Sequence, residues 1–310
     1  MYAPKFKIRC SSISSIMGGV KEPGLTAKER SELSDLQQCE RGELLTEKGN
    51  VMTFTANRKA RLTELVDIRD NPKPAPLSAG AKTVCRDWLT MKVYNRRKDF
   101  SSKETEKGNR MEDKAIELLA QYESDPFMAK NNEGKSCPYI KGWCDVRTPG
   151  EVYDTKCSKN PFTFPLWDEV VDKGYHDQLQ GYGHLYNRKN LVLAYCLVNT
   201  PMDMIERDAY YKTKGMYGPD YTEEQYAEIL EEEIRNNTYD DLPIQLRVKL
   251  YRFDFDPAFI QRVIKRVKMC RTYIATLEDQ LIAEGKHPMY FDKEPTQLTA
   301  LQGAQQQKVA

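Results

Sequence analysis

Apolar residues recur with helical spacing through most of the first hundred residues, and alternation with a period of two enters only further on. Helices are predicted near "SSISSIMGG", over "SELSDLQQCERGELL" and over "FTANRKARLTELV", with the breaker-rich "DNPKPAPLSAG" preceding "AKTVCRDWLTMKVYNRR". From about residue 104 the pattern gives a helix over 107–122, two short strands around the Pro-Gly of "RTPGEV", a helix over 172–187 and a strand over 191–199. An acidic helix ("TEEQYAEILEEEI", 222–234) and an alternating strand ("IQLRVKLYRFDF") follow. The next segment opens with Asp256 at a cap position and Pro257 in the first turn. It carries an apolar stripe through Val263, Val267, Cys270, Ile274, Leu277 and Leu281, which predicts a long packed helix. The expected organisation is a mostly helical portion over 1–100, an α/β core over 101–285 and a Gln-rich mobile tail over 286–310, with no internal repeat.

Composition narrows the class. The 310 residues are 40% hydrophobic and 30% charged, a globular profile, and the net charge of +1 gives no global electrostatic case for a nucleic-acid partner. No apolar run reaches the roughly 20 residues of a membrane span, and "MYAPKFKIRC" lacks a signal-peptide core, so a cytoplasmic protein is expected. Eight cysteines without a Cys-x-x-Cys pair suit a reducing compartment, as buried small hydrophobes. Cys137, Cys144 and Cys157 fit no iron–sulfur spacing.

Candidate chemistry begins at "EVYDTKCSK", where Asp154 and Lys156 lie two apart on a predicted strand and so share a face. With Pro149 and Gly150 at the centre of a turn, Asp145 comes to oppose Asp154. Two like charges so placed are destabilising unless something sits between them, and a hard divalent cation is the obvious occupant. Glu112 shares a helical stripe with Ala115, Ile116 and Leu119, whereas Asp113 and Glu117 fall on the outer side. In the helix near 175–186, Tyr175, Leu179, Tyr182 and Tyr186 form the apolar stripe, Gln178 flanks it and Gln180 falls nearly opposite. His176 and His184 lie off the stripe as surface residues. Glu112, Asp145, Asp154, Lys156 and Gln178 can therefore meet at one sheet edge, equipment suited to metal-assisted phosphodiester hydrolysis.

Four ordered pieces carry a family likeness: "GNRMEDKA" with Gly108, Glu112 and Ala115, "GWCD" ending at Asp145, "DTK" with Asp154 and Lys156, and "YHDQLQ" with Tyr175, Gln178 and Gln180. Over about residues 104–200 the chain resembles the PD-(D/E)XK nuclease superfamily, within it the phage λ exonuclease and YqaJ-like viral recombinase branch. It departs in having Asp154 where the family often has Glu, and Cys144-Asp145 where Pro-Asp is frequent. The resemblance implies a restriction-endonuclease-like α/β core, a small mixed sheet flanked by helices. It also implies one or two Mg²⁺ (or Mn²⁺) ions held by Glu112, Asp145, Asp154 and the Thr155 carbonyl, with Lys156 orienting the attacking water and Gln178 beside the metal.

The activity implied is a 5′→3′ exonuclease on duplex DNA ends in phage or prophage recombination, in a bacterial host, leaving 5′-phosphates. Arg9, Ser11 and Ser12 of "IRCSS" would help receive the DNA end, and Arg110 and Tyr175 would touch DNA near the basic stretch 92–110. A ring-shaped homo-oligomer and a single-strand annealing protein are the partners the branch suggests. A structure-specific or helicase-associated endonuclease of the same superfamily, or a non-catalytic DNA-binding protein keeping the fold, are the competing readings.

Overall fold

The computed structural model describes residues 1–19, 24–71, 75–98 and 103–290. The Gln-rich stretch beyond 290 lies outside the described residues, as do parts of the breaker-rich and basic segments. The chain divides into two compact units, Gly18–Ala79 and a larger one made of Met1–Met17 with Gly80–Ala310. Residues 1–100, grouped above as one helical portion, are thus shared between the two.

In the smaller unit, α2 (Ala27–Glu40) and α3 (Ala56–Asp70) pack through Leu25, Leu33, Leu62 and Leu65. Helix α2 begins ahead of the predicted stretch because Thr26 and Glu29 form a capping box, each side chain accepting from the other's backbone N–H. The short α1 (Ile13–Met17) belongs to the larger unit.

The larger unit also holds α4 (Ala79–Val93) and is organised by a four-stranded mixed sheet in the order β4 (Val146–Arg147), β5 (Glu151–Cys157), β6 (Asn190–Cys196), β7 (Val248–Asp254). The β4–β5 rungs are Val146–Tyr153 and Arg147–Val152, the register that a Pro149-Gly150 turn predicts. Strands β5 and β6 run parallel, so the chain between them must cross over, and α6 (Lys173–Tyr186) makes the crossing. Helix α5 (Lys103–Glu123) places Ala115, Ile116 and Leu119 against Tyr153, Val192, Ala194 and Cys196, as its apolar stripe requires. Tyr153 faces α5, while its neighbour Asp154 bonds Gln178 on α6, so β5 is covered on both sides.

After β6 the chain forms α7 (Met202–Tyr217), which the sequence pattern does not single out, and the acidic α8 (Glu223–Asn237), then returns through β7. The last long helix, α9 (Pro257–Ala283), is capped by the Asp256 side chain accepting from the Ala258 N–H, and Val263, Val267, Cys270 and Ile274 are buried along it. All eight cysteines are free thiols and six are buried, as the composition suggests.

The first seventeen residues are stitched to distant parts of the chain. Strand β1 (Ile8–Arg9) pairs parallel with β3 (Ile140–Gly142), which β2 (Lys135–Ser136) flanks, a second sheet not visible in the sequence pattern. The buried Glu278 carboxylate accepts from the backbone N–H groups of Tyr2 and Ala3, and Arg271 Nε donates to the Phe6 carbonyl at 3.0 Å. Arg266, buried as well, donates to the Ile16 carbonyl at 3.3 Å. Glycine lets this segment approach the core. A Cβ on Gly181 would lie 2.7 Å from Ile13 Cδ1, and one on Gly142 would clash with Cys10 Sγ and lie 2.9 Å from Tyr182 Cε1. Among the described residues no helix is long and apolar enough to cross a membrane.

Cys10 and Tyr182 are both buried and have no open side to yield into. Gly142→Ala should therefore lower stability by roughly 1–3 kcal/mol, the usual penalty of overpacking, read as a lower denaturant midpoint at unchanged m-value.

Candidate active site

The site grows from β5. Four consecutive residues, Val152 to Thr155, are buried, so the Asp154 carboxylate, 1% exposed, sits where a charge is costly unless it is compensated. Compensation comes from both sides. Lys156 Nζ lies 2.7 Å from Oδ2, and Gln178 Nε2 donates to Oδ1 at 2.9 Å. Gln178, 8% exposed, is fixed in turn by a second bond to the Tyr182 hydroxyl at 2.8 Å, the residue one turn on. The strand spacing and the flank of the α6 stripe thus place Asp154, Lys156 and Gln178 together.

Burial pushes the Asp154 carboxyl up to about 6, against the pull of Lys156, and the nearby Asp145 and Glu112 charges push the same way. For Lys156, burial opposes the charge but the attraction of Asp154 outweighs it, so the amine is raised and remains an ammonium at neutral pH. Its ammonium also lies 4.9 Å from the centre of the Tyr175 ring, a cation–π contact.

Asp145 is held differently from the expected face-to-face pair. It lies just beyond the last β4–β5 rung, its N–H donating to the Tyr153 carbonyl at 3.1 Å. Its Oδ2 accepts from the Thr155 N–H at 2.6 Å and the Thr155 hydroxyl at 2.8 Å. Glu112 is half-buried on α5 and its carboxylate is drawn to Lys130 Nζ at 3.3 Å. Asp113 and Glu117 are exposed, as predicted, and pair with Lys130 and Lys114.

The donor chemistry of Glu112, Asp145 and Asp154 is what a hard divalent cation takes, and the buried Asp154 Oδ2 meets the Lys156 ammonium at 2.7 Å. Among the described residues, though, no three His, Cys, Asp or Glu side chains stand where one ion could be held. The three-carboxylate set is in electrostatic contact but not assembled, because Lys130 and Thr155 hold two of its members.

The remaining expectations divide. Arg9 and Ser11 are exposed at the end of β1, in the segment whose buried Cys10 thiol is pushed up by burial and by Asp154, so this segment borders the site. The half-buried Ser12 ends the 3-10 turn that follows. Lys141 is lowered by burial and by Arg9, Lys92 and Lys7, which marks a basic cluster there. Arg110 is committed elsewhere, both its terminal nitrogens donating to Asp203 at 2.6 and 2.7 Å. Gln180 is not on an outer face. It is 0% exposed, donating to the Asp254 carbonyl at 2.9 Å and accepting from the Asp256 N–H at 2.7 Å, because β7 and α9 cover the side of α6 that its own periodicity leaves polar. Nor are the histidines bare surface residues. His176 packs edge-on to Phe253 and Phe259, and burial lowers His184.

Three residues around the site carry no signal of helical or strand period. Lys130 holds Glu112, and its neighbour Asn131 donates its N–H to the Asp145 carbonyl at 2.7 Å and its side-chain amide to the Cys144 carbonyl at 3.0 Å. Lys107, 3% exposed on α5, donates to the Lys159 carbonyl at 2.8 Å, and burial lowers it to about 8. Each acts across a tertiary contact from a position that local pattern leaves unmarked.

No family model matches the sequence, and no curated protein matches it. Solved structures do. A phage-related exonuclease from Haemophilus somnus 129PT superposes with a TM-score of 0.56 at 21% identity, over 90% of this chain and 96% of that one. The alkaline exonuclease LHK-Exo of Laribacter hongkongensis, in complex with dAMP, superposes with a TM-score of 0.50 at 11% identity, over 92% and 97% of the two chains. At these identities it is the architecture that is shared: the chain has the mixed α/β fold of the phage-related exonucleases, along nearly its whole described length.

Proposed function

We propose that the chain is a divalent-metal-dependent DNA nuclease, a 5′→3′ exonuclease on duplex ends serving phage or prophage recombination. The observation that carries this reading is the buried Asp154 carboxylate held between the Lys156 ammonium and the Gln178 amide, with Asp145 and Glu112 near enough to raise its pKa. The exonuclease fold supports it, and so does the description of one structural neighbour with dAMP bound.

Asp154, Asp145 and Glu112 would hold the ion, with the Thr155 carbonyl beside them. Bound there, Mg²⁺ or Mn²⁺ supplies Lewis acidity, making a water more acidic and offsetting the phosphate charge. Lys156 is charged at neutral pH, so it serves not as a base but as a donor that orients the attacking water and stabilises negative charge developing on the non-bridging phosphate oxygens. Gln178, pinned by Tyr182, fixes the orientation of Asp154. The cluster of Lys7, Arg9, Lys92 and Lys141 offers a track for the DNA backbone, with Ser11 and Ser12 beside it. A homo-oligomeric ring and a single-strand annealing partner belong to this proposal on the family resemblance alone.

One observation favours a non-catalytic DNA-binding reading: the acidic residues are not gathered into a ligand set. Metal titration decides between the two. On the nuclease reading calorimetry detects Mg²⁺ or Mn²⁺ binding. Proton and metal compete for Asp154, so affinity should fall about tenfold per unit as pH drops below about 6, and level off above it. Asp154→Asn should abolish binding, whereas a pH-independent affinity would place the ion elsewhere.

The activity test is digestion of end-labelled linear duplex with Mg²⁺, abolished by EDTA. Lys156→Ala should slow it by roughly 10²- to 10³-fold, the usual loss when a donor to developing negative charge is removed, with the circular dichroism spectrum unchanged. Release of the 5′ label first, with covalently closed plasmid left intact, is the expected pattern. Nicking of the plasmid would mean an endonuclease.

A further inference from the structure

The fifteen residues between Cys157 and Lys173 join the two elements that carry Lys156 and Gln178, and they present an unusual surface. Phe162 is 96% exposed and Trp167 87%, with Val170 and Leu166 also in solvent. Large apolar groups usually reach solvent on slack segments, but this one is held firmly. Asn160 Oδ1 accepts from the N–H groups of Phe162 and Thr163, both at 3.1 Å. Phe164 is buried beside Leu197 and Tyr239. Lys249 Nζ donates to the carbonyls of Pro165 and Asp168, at 2.7 and 2.6 Å. The backbone is anchored at Phe162, Thr163, Pro165 and Asp168 while the Phe162 and Trp167 rings are turned outward.

The loop is also continuous with the site. From Lys156, a run of rings leads to it: Lys156 Nζ over Tyr175 at 4.9 Å, Tyr175 edge-on to Tyr195 at 6.3 Å, and Tyr195 edge-on to Tyr251 at 6.0 Å. The Tyr251 hydroxyl then donates to the Asp168 carbonyl at 2.6 Å, next to Trp167. The loop is thus tied to the site through a run of side-chain contacts.

Resting on the nuclease reading, we propose that Trp167 and Phe162 form a preorganised platform on which unpaired nucleobases of the DNA strand stack beside the active site. Flat aromatic rings on an anchored backbone suit bases of any sequence, because every base has a π-face. Charge decides which part of the strand lies there. Asp168 and Glu169 are exposed immediately after Trp167 and repel phosphates, so the strand presents its bases to the loop and its backbone to the cationic groups. The platform thus separates the base-binding and phosphate-binding sides of one strand and holds the bases that come unpaired where a duplex end is opened.

The test is binding, measured on the full chain in EDTA so that no cleavage intervenes, by fluorescence anisotropy with a labelled oligo-dT and with an abasic oligonucleotide of equal length. Trp167→Ala should weaken oligo-dT binding by roughly five- to a hundredfold, the range for loss of one base–aromatic stack. The Trp167→Phe protein should bind nearly as the native one does, and affinity for the abasic strand should be unchanged in both. Unaltered oligo-dT affinity in Trp167→Ala, or an equal loss for the abasic strand, would overturn the proposal. So would a fall in sedimenting mass with DNA affinity intact, which would make the rings a contact between copies. If native protein digests linear DNA while Trp167→Ala binds normally, only the platform fails. If native protein neither binds nor cuts DNA, the nuclease reading falls with it.

Discussion

A carboxylate buried in the middle of a covered strand is the constraint around which this structure is arranged. Asp154 cannot be left without partners between α5 and α6, since an uncompensated buried charge is among the costliest features a core can contain. Its two oxygens are answered from two elements, Lys156 on its own strand and Gln178 on the crossover helix. The amide must in turn be held, which Tyr182 does. The position of α6 over β5 is therefore fixed by polar geometry as well as by burial of Leu179 and Tyr186. Because β5 and β6 are parallel, the crossing segment has to return over the sheet in any case, and this chain uses that obligation to bring an amide to the acid.

The same crowding explains why the first residues of the chain belong to the site's unit. Cys10 is packed against Gly142 and Gly181, close enough to Asp154 for that carboxylate to raise its thiol, and it can be there only because neither glycine carries a Cβ. Glu278, Arg266 and Arg271 of α9 hold the backbone on either side of that contact. The exposed Arg9 and Ser11 owe their position to these anchors, far away in sequence. The loop between β5 and α6 is held by Lys249 of β7 in a similar way, backbone fixed and side chains free. Both segments border the Asp154 cluster without belonging to the regular elements that build it.

Some elements could be read directly from pattern because their cause is local. Periodicity gave α5 and α9, the Asp256–Pro257 start gave the first turn of α9, and the Pro149-Gly150 turn gave the β4–β5 register and with it the neighbourhood of Asp145 and Asp154. Helix α2 began early because the capping box lay outside the apolar stripe used to bound it. The β1–β3–β2 sheet escaped because its strands, two or three residues long, are too short to show a period, whereas α7 carries an ordinary buried stripe through Met204, Ile205, Ala209 and Thr213. Gln180 shows the limit most clearly. A helix buried on one side has an outer face, but α6 is covered on two, and only the placement of β7 and α9 decides that.

By itself the sequence determined which chemistry the chain carries. Side-chain spacing on one strand puts an acid and an ammonium on a common face, and helical phase puts Glu112 and Gln178 inward, since both are consequences of backbone geometry within a few residues. Tertiary structure decided how those groups are partnered. It gave Glu112 to Lys130, Asp145 to Thr155 and Arg110 to Asp203, and it covered Gln180. These pairings join residues up to 93 positions apart in the chain, as Arg110 and Asp203 are, so no local period records them. They follow from which surfaces meet when the helices close over the sheet.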